Sequence, residues 1–343
     1  MELPEIKAKL RSKEYDFLRE NPNLGRNIIL LGLGGSHAYG TNTESSDLDI
    51  RGIATNSKRN ILTGHDFEQV VEVNTDTTIY SFDKIITLLC SCNPNTIEML
   101  GLKPEHYLYL SPEGRALVEN RHMFLSKRAI HSFGGYANAQ LRRLENKAAR
   151  LASQSQQEGN ILKSIEHAEV DYKAKYMNAP DDSIKLYIDR AVHEGYDSEI
   201  FMDVCLSHYP LRDYTGMWNE MTNIVKLYAK IGRRNEKAIE HGKLSKHMMH
   251  LIRLYLMCFD ILEYGEIITF REREHDFLMD IRNGKYLDEN RQPNEEFYRI
   301  VSALEEKLEY LKNHTDLPDD VDMGKINDFV AMVNETVVKE KGE

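Results

Sequence analysis

The 343-residue chain has no apolar run near the roughly 18 residues that a bilayer-spanning helix requires. Its first residues, MELPEIKAKLRSKEYDF, carry no apolar stretch of the kind a secretory leader uses. Cysteine is scarce: Cys90, Cys92, Cys205 and Cys258 are scattered, and Cys90-Ser91-Cys92 has no second pair to complete a zinc site. Buried, reduced thiols are therefore expected, and with them a cytosolic (cytoplasmic) protein with no membrane partner. An excess of positive charge is missing too. Lys plus Arg number 44 against 55 Asp plus Glu, and the net charge of −11 gives no overall basic footprint for nucleic acid. A local basic groove remains compatible with that balance. Internal repeats and low-complexity tracts are absent.

Hydrophobic residues make up 41% of the chain, enough for true cores, and the length suggests two domains. Up to about residue 125, short apolar runs alternate with turn signals. Strands are expected at Asn27–Leu33, Asp47–Ala54, Glu68–Val73 and Thr75–Ser81, and a helix at Phe82–Cys90. A loop at Asn93-Pro94-Asn95 leads to a helix over Thr96–Leu102. From about Ser126 the pattern changes to helical periodicity, at Tyr136–Arg150, Leu244–Leu262, Phe297–Leu311 and Lys325–Val338. Asn178–Asp182 and Thr315–Asp322 read as loops. The expected class is α+β: an N-terminal domain over 1–125, a mixed sheet flanked by helices, then a mostly helical domain over 126–343. Residues 175–243 form a candidate insertion within the latter.

The densest chemistry lies between Gly35 and Gly52, GSHAYGTNTESSDLDIRG. The apolar run before it ends in Gly34-Gly35, which lets the backbone turn sharply or approach a ligand. A Gly35-Ser36 turn offers backbone N–H groups and a hydroxyl to phosphate oxygens. Asp47 and Asp49, separated by one residue on a strand, point to one face. Side by side they repel unless a cation sits between them, and a divalent ion with oxygen preference is the usual solution. Phosphate cradle plus paired carboxylates is apparatus for phosphoryl or nucleotidyl transfer.

A two-metal displacement calls for a third carboxylate on a neighbouring strand. Asp76, immediately before the apolar strand Thr77–Tyr80, fits best. Asp83 is a rival at a helix start, where capping accounts for it equally, and Glu72 and Glu98 are further candidates. Arg51 shares the face of Asp47 and Asp49, and suits either a phosphate contact or a salt bridge to a carboxylate.

The segment GSHAYGTNTESSDLDIRG resembles the GSxAYG…SDxDxRG signature of the DNA polymerase β-like nucleotidyltransferases, and more narrowly those associated with RNA ligases. The resemblance continues through DTTIYSFDKIITLLCSCNPNTIEML and reappears in KHMMHLIRLYLM. It implies that Gly35 and Ser36 hold a triphosphate, that Asp47 and Asp49 bind Mg²⁺, and that Asp76 completes the triad. The implied reaction is attack of a hydroxyl on the α-phosphate of an NTP, such as ATP, transferring NMP and releasing pyrophosphate. The acceptor it leaves open: an RNA end, a protein hydroxyl as in toxin–antitoxin systems on this fold, or a small molecule. A catalytically inactive nucleotide-binding module is the contrasting reading, against which the intact carboxylates speak. A phosphohydrolase would need a His/Asp metal cluster of the HD type, which the sequence lacks.

Tyr39 and Thr41 lie beside the turn, where packing explains them as well as nucleotide contact does. Asn93, Asn95 and Glu98 are expected to fix their loop and the following helix. Lys246, His250 and Arg253 recur at i, i+4 and i+7, within a sector of about 60° on one helix face. That stripe is a candidate contact for nucleotide phosphates or the acceptor, with a salt bridge to the first domain as the alternative. His247 and His250 alone lack the further ligands of a zinc site. Arg142, Arg143, Lys147 and Arg150, and again Arg233, Arg234 and Lys237, are basic segments that read as solvated surface. If they line the cleft they suit a polynucleotide acceptor.

Overall fold

The computed structural model describes residues 3–151, 184–193, 198–204, 208–228, 242–289 and 292–340. Contacts group the chain into two units, one of residues 1–141, 245–286 and 295–343, the other of residues 142–244 and 287–294. The change of sequence pattern near residue 125 falls inside the first unit.

The first unit is built on a mixed five-stranded sheet in the order β3-β4-β2-β1-β5. Its strands are β1 (Ile28–Leu33), β2 (Ile50–Ala54), β3 (Gln69–Glu72), β4 (Thr77–Ser81) and β5 (Tyr107–Leu110). β1 is buried along its whole length, which is why it reads as a continuous apolar run. β2 and β4 run parallel, in register from Ile50 opposite Thr77 to Ala54 opposite Ser81. The other pairings are antiparallel. Helix Phe82–Cys90 has the bounds its periodicity gives; Ser81 caps it by accepting from the Lys84 N–H, and Phe82, Ile85, Ile86 and Leu89 are buried.

Helices Gly242–Tyr264, Glu295–Lys312 and Met323–Glu340 extend the predicted segments by a few residues at each end. Met248, Leu251, Ile252, Tyr255, Phe259 and Leu262, the apolar positions of the first of these, are all buried. The α+β class therefore holds, with a mixed sheet in the N-terminal region and a helical C-terminal region.

Three local expectations change. The predicted Gly35-Ser36 turn is the first turn of a short helix, Gly35–Tyr39, which Gly40 closes in the left-handed conformation. β2 starts at Ile50, not Asp47, because β1 ends at Leu33, opposite Ile50, and leaves Asp47 no strand to pair with. The helix expected at Thr96–Leu102 begins earlier, at Pro94, capped by Asn93, and tightens into a 3-10 turn over Glu98–Gly101. β5 has no clear signal in the sequence, since four residues between a proline turn and a helix carry little pattern.

The second unit contains an antiparallel pair, β6 (Ile184–Arg190) with β7 (Ser198–Val204), and a helix at Leu211–Tyr228. The Asn178–Asp182 loop, Cys205, and the Arg233, Arg234 and Lys237 segment lie outside the described residues. Cys90, Cys92 and Cys258 are free and buried, as expected. No helix among the described residues is long and apolar enough to cross a membrane.

Candidate active site

The sheet brings the acidic residues together through its register. Ile50 and Thr77 are opposite one another in the parallel pair β2/β4, so the residues immediately before them, Asp49 and Asp76, meet at the same sheet end. The Ile50 N–H donates to the Asp76 carbonyl at 3.2 Å, extending the ladder one step into the site. On the other side of β2, the Gly34 N–H donates to the Asp49 carbonyl at 2.9 Å. The end of β1, its Gly34-Gly35 exit and the two carboxylates thus share one edge.

Gly35 is required there. Its φ is +52°, and a Cβ at this position would lie 1.8 Å from Asp49 Oδ2. Asp76 is itself left-handed, with φ 44°, a conformation that aspartate tolerates better than most residues.

The two carboxyls lie close enough to perturb each other's titration. Burial, reinforced by the Asp76 hydrogen bond and negative charge, pushes Asp49 up to about 7, against the pull of Arg51 and Lys246. Asp76 moves the opposite way, held low chiefly by the hydrogen bond from Asp49 and then by Arg51. The opposite shifts belong to the two carboxyls as a pair and not to either alone. Arg51 bridges them: its guanidinium donates to the Asp76 carbonyl at 2.7 Å and lies 3.3 Å from Asp76 Oδ1 and 3.8 Å from Asp49 Oδ1. The salt bridge to a carboxylate, one of its two sequence readings, is thus formed.

Asp47 is exposed, two residues ahead of Asp49. Among the described residues no group of three His, Cys, Asp or Glu side chains is arranged to hold a metal ion. The rivals of Asp76 are engaged elsewhere. Asp83 accepts from Asn56 at 2.6 Å, sharing that amide with Asp66, beyond the far end of β2. Glu72 caps the turn at Asn74. Ser36 is buried.

The helix Gly242–Tyr264 supplies its stripe unevenly. Lys246 is exposed and contributes positive potential at both Asp49 and Asp76. Arg253 is buried, with its guanidinium 3.2 Å from the centroid of the Tyr39 ring and 2.8 Å from His250 Nδ1. Burial lowers Arg253 to about 10, so it stays charged at neutral pH. Burial and the adjacent Arg253 push His250 down to about 3, which leaves the imidazole neutral. Glu98 closes the network. It accepts from the Tyr39 hydroxyl, and desolvation, opposed only by Arg253, raises it to about 7. Of the stripe, Lys246 alone presents charge to solvent. The side chains of Arg142, Arg143, Lys147 and Arg150 lie outside the described ones.

Sequence reasoning missed the supports behind this edge. Arg282 donates to the Thr41 carbonyl and reaches Ser46 Oγ at 3.1 Å, clasping the loop that carries Asp47 and Asp49. The Arg271 N–H donates to the Tyr39 carbonyl at 3.2 Å, and the Thr269 hydroxyl to the Glu98 carbonyl at 2.7 Å. These partners stand more than 150 residues apart in sequence, and no local pattern announces them.

Residues 6–167 match the RlaP family, described as an RNA repair pathway DNA polymerase beta family. The resemblance of this region to polymerase β-like nucleotidyltransferases, read from its motif, therefore holds. Over 329 residues the chain is 25% identical to an uncharacterized 38.9 kDa protein in the nrdC-mobD intergenic region of Enterobacteria phage T4. That alignment covers 87% of this chain and 94% of the phage protein. No solved structure matches the chain.

Proposed function

From a sequence whose residues 6–167 match an RNA repair polymerase β family, we propose a metal-dependent nucleotidyltransferase that moves NMP from an NTP to an acceptor hydroxyl, releasing pyrophosphate. The observation that carries this reading is the register-imposed meeting of Asp49 and Asp76 against a glycine whose Cβ the site would not admit.

A divalent ion such as Mg²⁺ suits the donor set: oxygen ligands only, with Asp49 and Asp76 brought to one sheet end by the β2/β4 register. Asp49 and Asp76 would hold it, with Asp47 adding a carboxylate from its exposed position. Mg²⁺ bound there supplies charge neutralisation at the phosphates and a lowered pKa for the attacking hydroxyl. The protein's own groups do the rest. Gly35 and Ser36, whose amides open a helix and lack partners within it, orient the triphosphate. Asp76 accepts the acceptor's proton. Arg51 fixes the carboxylates, and Lys246 faces the phosphates. Arg253 acts from behind, as a positioning residue that holds Tyr39. The acceptor we favour is an RNA end, in keeping with the family's description.

Incubation with α-labelled ATP and each other NTP, Mg²⁺, and RNA, protein and small-molecule acceptors tests the proposal. Label transfer with pyrophosphate release is expected, lost by at least about 100-fold in Asp49→Asn at an unchanged unfolding midpoint. Absence of both products with every acceptor would refute it.

A further inference from the structure

At the other end of the sheet lies an open cavity of about 740 Å³, in the range of small-molecule sites. It forms around Asn27, just before β1, and Ser57, just after β2. Gly34 leaves β1 at the opposite end, so at about 3.3 Å per residue the cavity lies roughly 20 Å from the carboxylates.

Its charge runs against that of the molecule. Arg19, Arg26, Lys58 and Arg59 line it, with Glu20 the sole acidic residue, in a chain of net charge −11. Arg19 is fixed, donating to the carbonyls of Leu10 and Ser12 at 3.0 and 3.1 Å and pairing with Asp16 at 2.6 Å. Lys58 and Arg59 are exposed on the first turn of helix Lys58–Thr63, and neither has an ion-pair partner among the described residues. The remaining wall is mixed: Pro22 and Leu62, the latter 66% exposed, give it apolar surface, and Asn21, Asn27, Ser57 and Thr63 give it hydrogen-bonding groups. Lys58 and Arg59 beside a wall of mixed apolar and hydrogen-bonding groups match a ligand that is anionic at one end and amphipathic at the other.

We propose that this cavity binds a nucleotide, and that the nucleotide belongs to a single-stranded RNA whose end is presented to the carboxylates. Lys58 and Arg59 engage the backbone phosphates, and the wall of Pro22, Leu62 and the neighbouring Asn and Ser side chains takes the base. A nucleoside triphosphate at the carboxylates is too short to reach so far, whereas a strand of several nucleotides does so. The RNA assignment rests on the proposed function; the nucleotide chemistry of the cavity does not.

Equilibrium binding of fluorescent uridine oligomers to the full chain tests this. The probes are a dinucleotide and an oligomer long enough to cover the roughly 20 Å between the sites, with AMP as a third. The variant is Lys58→Glu/Arg59→Glu, which places acids at a helix start where the dipole favours them, so folding is retained. The long oligomer is expected to bind about tenfold more weakly to the variant at low salt. Its salt slope should shrink by about 1 per cation, while the dinucleotide, too short to reach both sites, should bind either protein more weakly than the long oligomer binds the parent. Lys58→Arg/Arg59→Lys should restore binding. If AMP affinity falls instead and the oligomer's does not, the cavity takes a free nucleotide. Unchanged affinity for all three probes overturns the site. Asp49→Asn separates the two readings: it should abolish transfer and leave oligomer binding intact, so failure of the enzyme reading does not decide this one.

Discussion

At the scale of single residues, the site depends on groups whose freedom has been removed. Gly35 has both a positive φ and a carboxylate oxygen where its Cβ would be. Gly35→Ala should therefore displace Asp49 rather than unfold the protein. We expect a loss of label transfer of about 100-fold, from a misplacement of about 1 Å, at a stability cost of about 1 kcal/mol. Single-turnover transfer and chemical denaturation measured side by side would show whether the two effects separate. Glu98 makes a prediction of another kind. Its carboxyl accepts from the Tyr39 hydroxyl and is raised from 4.5 to about 7 by burial, against the pull of Arg253. A raised folded pKa means that the native state holds the proton more tightly than the unfolded chain. That contribution to stability is complete below about pH 4.5 and is lost as pH rises through about 7. Glu98→Gln, which keeps an acceptor for Tyr39, should remove up to about 3 kcal/mol of this decline. Denaturation midpoints across the interval, parallel in variant and parent, would contradict it.

At the scale of elements, what the sequence reveals depends on how local the cause is. Helix Phe82–Cys90 was legible to the residue, because its cap and its apolar face lie within the segment itself. β1 was legible because full burial leaves an unbroken apolar run. Asp47 looked like strand because alternation was present, yet a strand also needs a partner, and β1 stops at Leu33. The meeting of Asp49 with Asp76 was anticipated by type and position, but its cause, the parallel register, is a long-range fact. The stripe at Lys246, His250 and Arg253 was correctly placed on one helix. Which member faces solvent was set by packing against Tyr39, invisible to periodicity. Arg282 had no signal at all: it clasps Thr41, Thr43 and Ser46 across the fold. Arg282→Ala should cost about 2 kcal/mol, through several hydrogen bonds of a half-buried guanidinium, and should open the 41–49 loop. Limited proteolysis would report this as new cleavage within that loop; a digestion pattern like the parent's would count against the clasp.

At the scale of the whole molecule, the unit that folds differs from the stretch that resembles a family. The match ends at residue 167, whereas the first unit draws on residues 245–286 and 295–343 as well. Tyr39, Glu98 and the 41–46 loop are all tied to residues from those later segments. A fragment ending at residue 141 should accordingly expose apolar surface and lose cooperative unfolding. Dye binding and a broadened thermal transition would reveal this, while a sharp transition would show that the sheet stands alone.

One further property follows from the ladder that joins β2 to β4. Asp49 and Asp76 each precede a paired residue, and the Ile50 N–H ties the two chain segments directly. The spacing of their backbones is thus set by the sheet, as the gap between two teeth is set by the comb. Changing that spacing means breaking backbone pairing, which is far stiffer than rotating a side chain. Compliance at this edge is left to the carboxyl rotamers, to the 41–46 loop held by one arginine, and to the exposed stem of Lys246. Adjustment to a passing ligand is then a matter of those three parts moving against a fixed rail.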